Sequence, residues 1–186
     1  KRNADGSLKI EAKGVLSARR DNAKWAVNVY QPASEVCLLQ GKVEDVTDKL
    51  IDECERLIRG EVPLDDLVIT KTMGAVYKSE TATMKVFGDE LRRIGRPAQV
   101  GDRLSYVVTK SDNKKEKLGK RMMLRSMFVE LQDSPNPPQI DFAYYIGHVL
   151  QKHFDNLFSL CFKEEIEYMS GIMFRPNKRC KFTGMK

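Results

Sequence analysis

From position 43 the apolar residues of this chain recur at steps of three and four. Val43, Val46, Leu50, Ile51, Cys54, Leu57 and Ile58 form one stripe, with the acids of the stretch on the other face. That spacing predicts an amphipathic helix, and Gly60 falls just past its end, where a left-handed cap fits. Upstream, Ile10 to Ala18 reads as a short extended segment broken by Gly14, and Trp25 to Tyr30 as a second apolar run ended by Gln31 and Pro32. Val62 to Asp66 reads as a turn leading into Leu67-Val68-Ile69-Thr70-Lys71. A further helix is predicted to open at Thr81 as N-cap and to present Met84, Phe87, Leu91 and Ile94 on one face, until Gly95-Arg96-Pro97 stops it. Val100 to Arg103 carries a turn signal, and Leu104, Tyr106 and Val108 then alternate as in a strand. Ser111 to Lys115 is a polar loop, expected to be mobile. After a proline-rich break at 135–138, Phe142, Tyr145, Ile146, Val149, Leu150, Leu157, Phe158 and Cys161 hold helical spacing, with Asp141 placed to oppose the positive end of the helix dipole. The pattern implies an α+β chain, mainly α, behind a short β-rich entry segment.

Length narrows this to one domain, or one domain with an appended piece of another, since the chain has 186 residues. No apolar run approaches the ~18 residues of a membrane span. Lys1-Arg2-Asn3-Ala4-Asp5-Gly6 has no apolar stretch behind it, so no secretory signal is expected. The missing initiator Met points to a fragment or a processed chain. Cys37, Cys54, Cys161 and Cys180 stand far apart, which fits idle thiols in a reducing compartment better than a disulfide framework or a C-x-x-C metal pair.

Charge changes the picture more than composition does. The net charge is +6, but it conceals segregation. Residues 35–66 carry 4 basic and 10 acidic side chains, whereas residues 110–125 carry 7 and 2. The last twelve positions hold Arg175, Lys178, Arg179, Lys181 and Lys186 with no acid. Basic segments that converge in space would make a polyanion-binding face, nucleic acid being the common polyanion; as solvated loops they would do nothing of the kind.

Candidate catalytic chemistry is absent. There is no Gly-rich phosphate loop, no G-x-S-x-G and no H-E-x-x-H. His148 and His153 are five apart and share no helix face as i,i+4 ligands would. Asp65-Asp66 is an adjacent pair better suited to a helix start than to a two-metal centre. No catalytic and no metal-binding residue is therefore assigned. Lys13-Gly14 followed by Arg19-Arg20 is more informative. Glycine lets the backbone approach a ligand closely, and guanidinium forks donate bidentate hydrogen bonds to phosphates or base edges.

These residues also carry a resemblance. Lys13-Gly14-Val15-Leu16-Ser17-Ala18-Arg19-Arg20-Asp21-Asn22 resembles the K-G-x-x-x-x-R-R-D-N segment of family B DNA polymerases, just before the thumb. Leu67 to Lys71 is similar to the family's L-V-I-T-K. Pro97 to Val108 is similar to its P-x-x-G-D-R-[IVL]-x-Y-V-[IV], and Ile140-Asp141-Phe142-Ala143-Tyr144-Tyr145-Ile146 to its I-D-x-x-Y-Y-[IVL] helix. The style of the R-R-D-N block suggests an enzyme of a nucleo-cytoplasmic large DNA virus.

The resemblance implies that residues 1–34 are the β-rich end of a palm subdomain and residues 35–186 a mostly helical thumb that grips primer–template DNA and supports processive synthesis. Carried over by position, Lys13, Gly14, Arg19 and Arg20 would lie by the primer strand, with Lys71 and Arg103 in matching thumb blocks. The family's D-x-x-S-L-Y-P-S and Y-G-D-T-D blocks, which hold its catalytic aspartates, do not occur here, nor do the C-terminal cysteine clusters of its cellular members. This chain is then expected to be inactive alone and to bind no cofactor itself, with Mg2+ serving the complete polymerase. Implied partners are primer–template DNA, the remaining palm, fingers and exonuclease, and a processivity factor. No membrane is implied, and the expected location is the nucleus or a cytoplasmic viral replication site. The alternative is a stand-alone basic DNA-binding accessory protein without polymerase activity. An upstream reading frame ending in K-K-R-Y after Y-G-D-T-D would decide for the polymerase.

Overall fold

Two compact units divide the chain at Asp66/Leu67 and again at Asp141/Phe142. The computed structural model describes residues 21–38, 43–113 and 115–161. The first unit thus comprises described residues up to Asp66 and from Phe142 onward, and the second Leu67–Asp141.

The first unit is helical. Helix α1 (Lys24–Leu38) buries Trp25, Ala26, Val29, Tyr30, Ala33 and Cys37, the three-and-four spacing of a helix face. This corrects the apolar run expected to stop at Tyr30 within a β-rich entry segment. Six residues of near-continuous apolar sequence do not distinguish strand from helix, and the repeat emerges only when Ala33 and Cys37 are included. Nor does Pro32 end the element. It lies inside the helix, where the hydrogen bond it cannot donate would have gone to the carbonyl of Asn28, an exposed position open to water. Residue 34, the expected subdomain boundary, falls within this helix.

Helix α2 (Val43–Ile58) follows the predicted spacing and buries Val46, Leu50, Cys54 and Leu57, whereas Ile58, expected on the same stripe, is 47% exposed at the helix end. It ends in a Schellman motif: Gly60 adopts φ 74°, its N–H donates to Leu57 O at 3.0 Å, and Glu61 N–H donates to Arg56 O at 3.0 Å. The turn expected at Val62–Asp66 tightens into a one-turn helix, α3 (Leu64–Leu67). The closing helix has three parts: α7 (Phe142–Tyr144), a π-helical turn (Tyr145–Leu150) and α8 (Gln151–Cys161). It buries Tyr145, Val149, Leu150, Phe154 and Leu157. Tyr30 of α1 meets Phe154 edge to face, with centroids 5.7 Å apart, and His153 at 6.1 Å. Cys37 and Cys54 are buried free thiols.

The second unit holds a three-stranded antiparallel sheet, β1 (Ile69–Thr72), β2 (Arg103–Val108) and β3 (Met122–Leu124), in the order β1-β2-β3. The fold is therefore mixed α+β, but its described strands lie between positions 69 and 124, inside the stretch expected to be mostly helical. The extended segment expected at Ile10–Ala18 lies outside the described residues. Strand β3 went unforeseen because three residues are too few to show a period of two.

Helix α4 (Thr83–Arg93) covers the sheet face that carries Tyr106: Phe87 and Leu91 are buried, and the Phe87 and Tyr106 rings lie 5.6 Å apart. Thr81 is not its cap. The helix starts two residues later behind Ala82, and the Thr81 hydroxyl pairs with that of Ser79 at 2.8 Å. Gly95 (φ 78°) closes α4 with the same two-bond motif seen at Gly60. Helices α5 (Leu118–Arg121) and α6 (Arg125–Glu130) flank β3.

Candidate nucleic-acid interface

Most arginines of the described chain are already committed to carboxylates. Arg56 pairs with Glu53 at 2.6 Å, Arg59 with Glu61 at 2.7 Å, Arg92 with Asp89 at 3.2 Å and Arg96 with Glu130 at 2.7 Å. The hydrogen bond from Arg96 holds the Glu130 carboxyl below its ordinary range, and that from Arg93 does the same to Glu90. Arg121 pairs with Asp141 at 2.8 Å, both side chains largely buried, and its backbone carbonyl accepts from the Thr109 hydroxyl at 3.0 Å. That pair fixes the chain just ahead of Phe142 and is structural.

Lys71 and Arg103 differ from these. Both are exposed, and neither makes an ion pair with another described residue. They sit on adjacent strands, where Lys71 is paired with Leu104 and Thr72 with Arg103. Residues opposite one another share a face and successive residues alternate, so the register places Lys71 and Arg103 on opposite faces. Lys71 stands at the rim of the face that α4 covers. Arg103 shares its face with Thr70, Thr72 and Ser105, and the Thr70 and Ser105 hydroxyls lie 3.0 Å apart. A guanidinium beside a row of hydroxyls is the donor set that phosphate oxygens and sugars receive from proteins. Thr70, Thr72 and Ser105 were missed by sequence reasoning, although their period-two spacing around Lys71 and Leu104 was available.

Lys115, Lys117 and Lys120, part of the basic run 110–125, border an open depression of about 500 Å3. Glu80, Asp89, Glu90 and Glu116 border it too, so its field is mixed rather than basic. Lys13, Gly14, Arg19 and Arg20 lie outside the described residues. Among the described residues no group of three or more His, Cys, Asp or Glu is gathered to hold a metal ion. The His148 ring lies tilted against Tyr144 at 5.3 Å, and the His153 ring meets Tyr30 edge-on. No described helix is long and apolar enough to cross a membrane.

Comparison with known proteins gives this surface its context. The chain belongs to DNA polymerase family B, whose family model matches residues 1–161. It is 31% identical over 157 residues to the DNA polymerase of Pyramimonas orientalis virus, covering 82% of this chain and 13% of that protein. It is 28% identical over 144 residues to the DNA polymerase of Acanthamoeba polyphaga mimivirus, covering 75% and 8%. Similarity to the DNA polymerase delta catalytic subunit of Schizosaccharomyces pombe reaches 28% over 150 residues, 77% of this chain and 13% of that one. The chain thus spans about one eighth or less of these relatives. In fold it is similar to the family B DNA polymerase of Pyrobaculum calidifontis, with a TM-score of 0.53 and 23% identity over 72% of this chain and 17% of that structure.

Proposed function

We propose that this chain is the palm-end and thumb segment of a template-directed DNA polymerase of viral type, and that it grips primer–template duplex to support processive synthesis. In this reading residues 1–34 close the palm and residues 35–186 form the thumb. Lys13, Gly14, Arg19, Arg20, Lys71 and Arg103 contact the DNA backbone. The observation that carries the reading is the guanidinium of Arg103, without a carboxylate partner among the described residues, on the Thr70–Ser105 face of a chain that belongs to a DNA polymerase family.

A grip of this kind needs phosphate contacts and shape-tolerant groove contacts rather than base readout. The D-x-x-S-L-Y-P-S and Y-G-D-T-D blocks do not occur in this sequence, so in this reading the attack of a primer 3′-hydroxyl on a nucleotide belongs to other parts of the polymerase. In this chain the Arg and Lys side chains bind and orient the duplex.

The test is fluorescence anisotropy of the chain on primer–template duplex and on single strand, across a range of salt. Duplex preference is expected, with log K falling by about 0.9 per phosphate contact for each decade of salt. Arg103→Ala should lower that slope by about one contact. Equal affinity for single strand, or an unchanged slope in the variant, would refute this placement of the grip.

A further inference from the structure

The first unit contains a cleft of about 330 Å3 between α1, α2 and the segment around Pro63. Its wall includes Trp25, Val29, Leu50 and Phe154, and Asp45, Asp52, Glu53 and Asp66 also line it. Two of these acids are occupied: Arg56 holds Glu53 at 2.6 Å and Lys24 holds Asp66 at 3.1 Å. Asp45 and Asp52 are exposed and form no hydrogen bond or ion pair with another described residue. Glu44 and Asp48, both exposed on α2, extend the negative field beyond the cleft.

We propose that this cleft docks a basic peptide segment of a partner protein, one apolar side chain entering the cleft while flanking Lys or Arg side chains meet Asp45 and Asp52. Charge decides the sign of the occupant, because a polyanion would be repelled from four carboxylates set against Lys49 and Arg56. The apolar wall decides its form. A bare cation would lose water against Val29, Leu50 and Phe154 without recovering ligands, whereas a peptide brings an apolar group and a charge together. The volume lies at the low end for ligand pockets and suits one side chain rather than a whole cofactor. Trp25 lines the cleft but is itself 2% exposed, and its indole N–H has no acceptor among the described residues; buried to this degree, it is a wall of the cleft rather than a contact for the peptide backbone.

This surface is independent of the DNA grip, and the two can fail separately. Trp25 is the chain's single tryptophan, so its emission reads the cleft directly. The probe is the heptapeptide G-R-R-L-R-R-G titrated into the full chain, beside G-E-E-L-E-E-G and G-R-R-G-R-R-G. A saturable change in Trp25 emission is expected with the first peptide, at least about ten-fold weaker with the other two. The double variant Asp45→Asn/Asp52→Asn should weaken the first peptide about five-fold, the scale of two exposed charge pairs, with its circular dichroism unchanged. Equal binding of the leucine-free peptide, an unchanged double variant or the absence of saturation would each overturn the proposal.

Discussion

The helical unit and the sheet unit solve the same burial problem with different means. In the helical unit, long stripes on α1, α2 and the closing helix bring Leu50, Leu57, Tyr145, Leu150 and Phe154 almost wholly out of water. The sheet unit has shorter elements and a smaller set of such residues, Phe87, Leu91, Val107 and Val108, and it relies more on polar ties such as Arg121–Asp141 and Arg96–Glu130. Their surfaces diverge as well. The helical unit carries the acidic stretch 35–66, and the sheet unit leaves Lys71 and Arg103 without carboxylate partners among the described residues. Within one chain, then, the part with the more extensive apolar packing presents acid, and the part with the smaller core presents the candidate DNA-facing cations.

Removing the ring of Phe154 should break the helical side of this comparison most severely. Phe154→Ala is expected to cost about 3–5 kcal/mol, as for other large-to-small changes at fully buried aromatic sites. Chemical denaturation measures the loss, and hydrogen exchange locates it. Amides of α1, α2 and α8 should lose protection while those of β2 keep theirs; equal loss in β2 would show that the two units unfold as one.

Gly119→Ala is the matching break in the sheet unit. A Cβ there would lie 2.5 Å from the Thr83 carbonyl oxygen and 2.9 Å from the Phe87 nitrogen. Both are backbone atoms, so α4 and α5 must part, at about 1–3 kcal/mol. Thermal melting should register that loss, and a variant as stable as the parent would mean that the α4–α5 contact is looser than the geometry states.

Asp155 gives the smallest effect and sharpens the comparison through pH. Burial lifts its carboxyl above the ordinary value, against an opposing hydrogen bond with Gln151. A carboxyl raised by folding lowers stability once the pH passes its unfolded value, and the whole cost stands above its folded value. Asp155→Asn should therefore stabilise the helical unit at neutral pH, by well under about 1 kcal/mol because the group is partly solvated. The advantage should vanish as the pH is lowered through the carboxylate range, and denaturation midpoints that differ equally at about pH 7 and about pH 4 would contradict this cause.

Legibility in the sequence followed the length of the periodic signal. Helix α2 and its Gly60 cap could be read because sixteen residues keep one phase and the glycine follows them. Gly95 and the Leu104–Tyr106–Val108 alternation were equally plain. Helix α1 was misread because Pro32 resembles a terminator, and only the tertiary setting shows that the carbonyl it strands is on the wet side. Thr81 was the better capping residue by propensity, but its hydroxyl found Ser79 instead. At the candidate site, the sequence supplied Lys71 and Arg103 through family motifs. That they face opposite ways, and that Thr70 and Ser105 join only Arg103, follows from strand register, a property of two segments thirty-five positions apart that neither segment carries alone.

The π turn at Tyr145–Leu150 makes the closing helix a record of chain length. Its i→i+5 bonds lodge one residue more than an α ladder of the same rise would hold. Losing one residue there would restore the α ladder and leave Phe154 and Leu157 on the face that meets α1, because six π residues turn about as far as five α residues; losing one from α8 itself would rotate everything beyond it by about 100°. Substitutions within the turn leave that phase alone. The segment can therefore give up one residue without turning the packed face away, and that spare residue is stored in the helix backbone rather than in a surface loop.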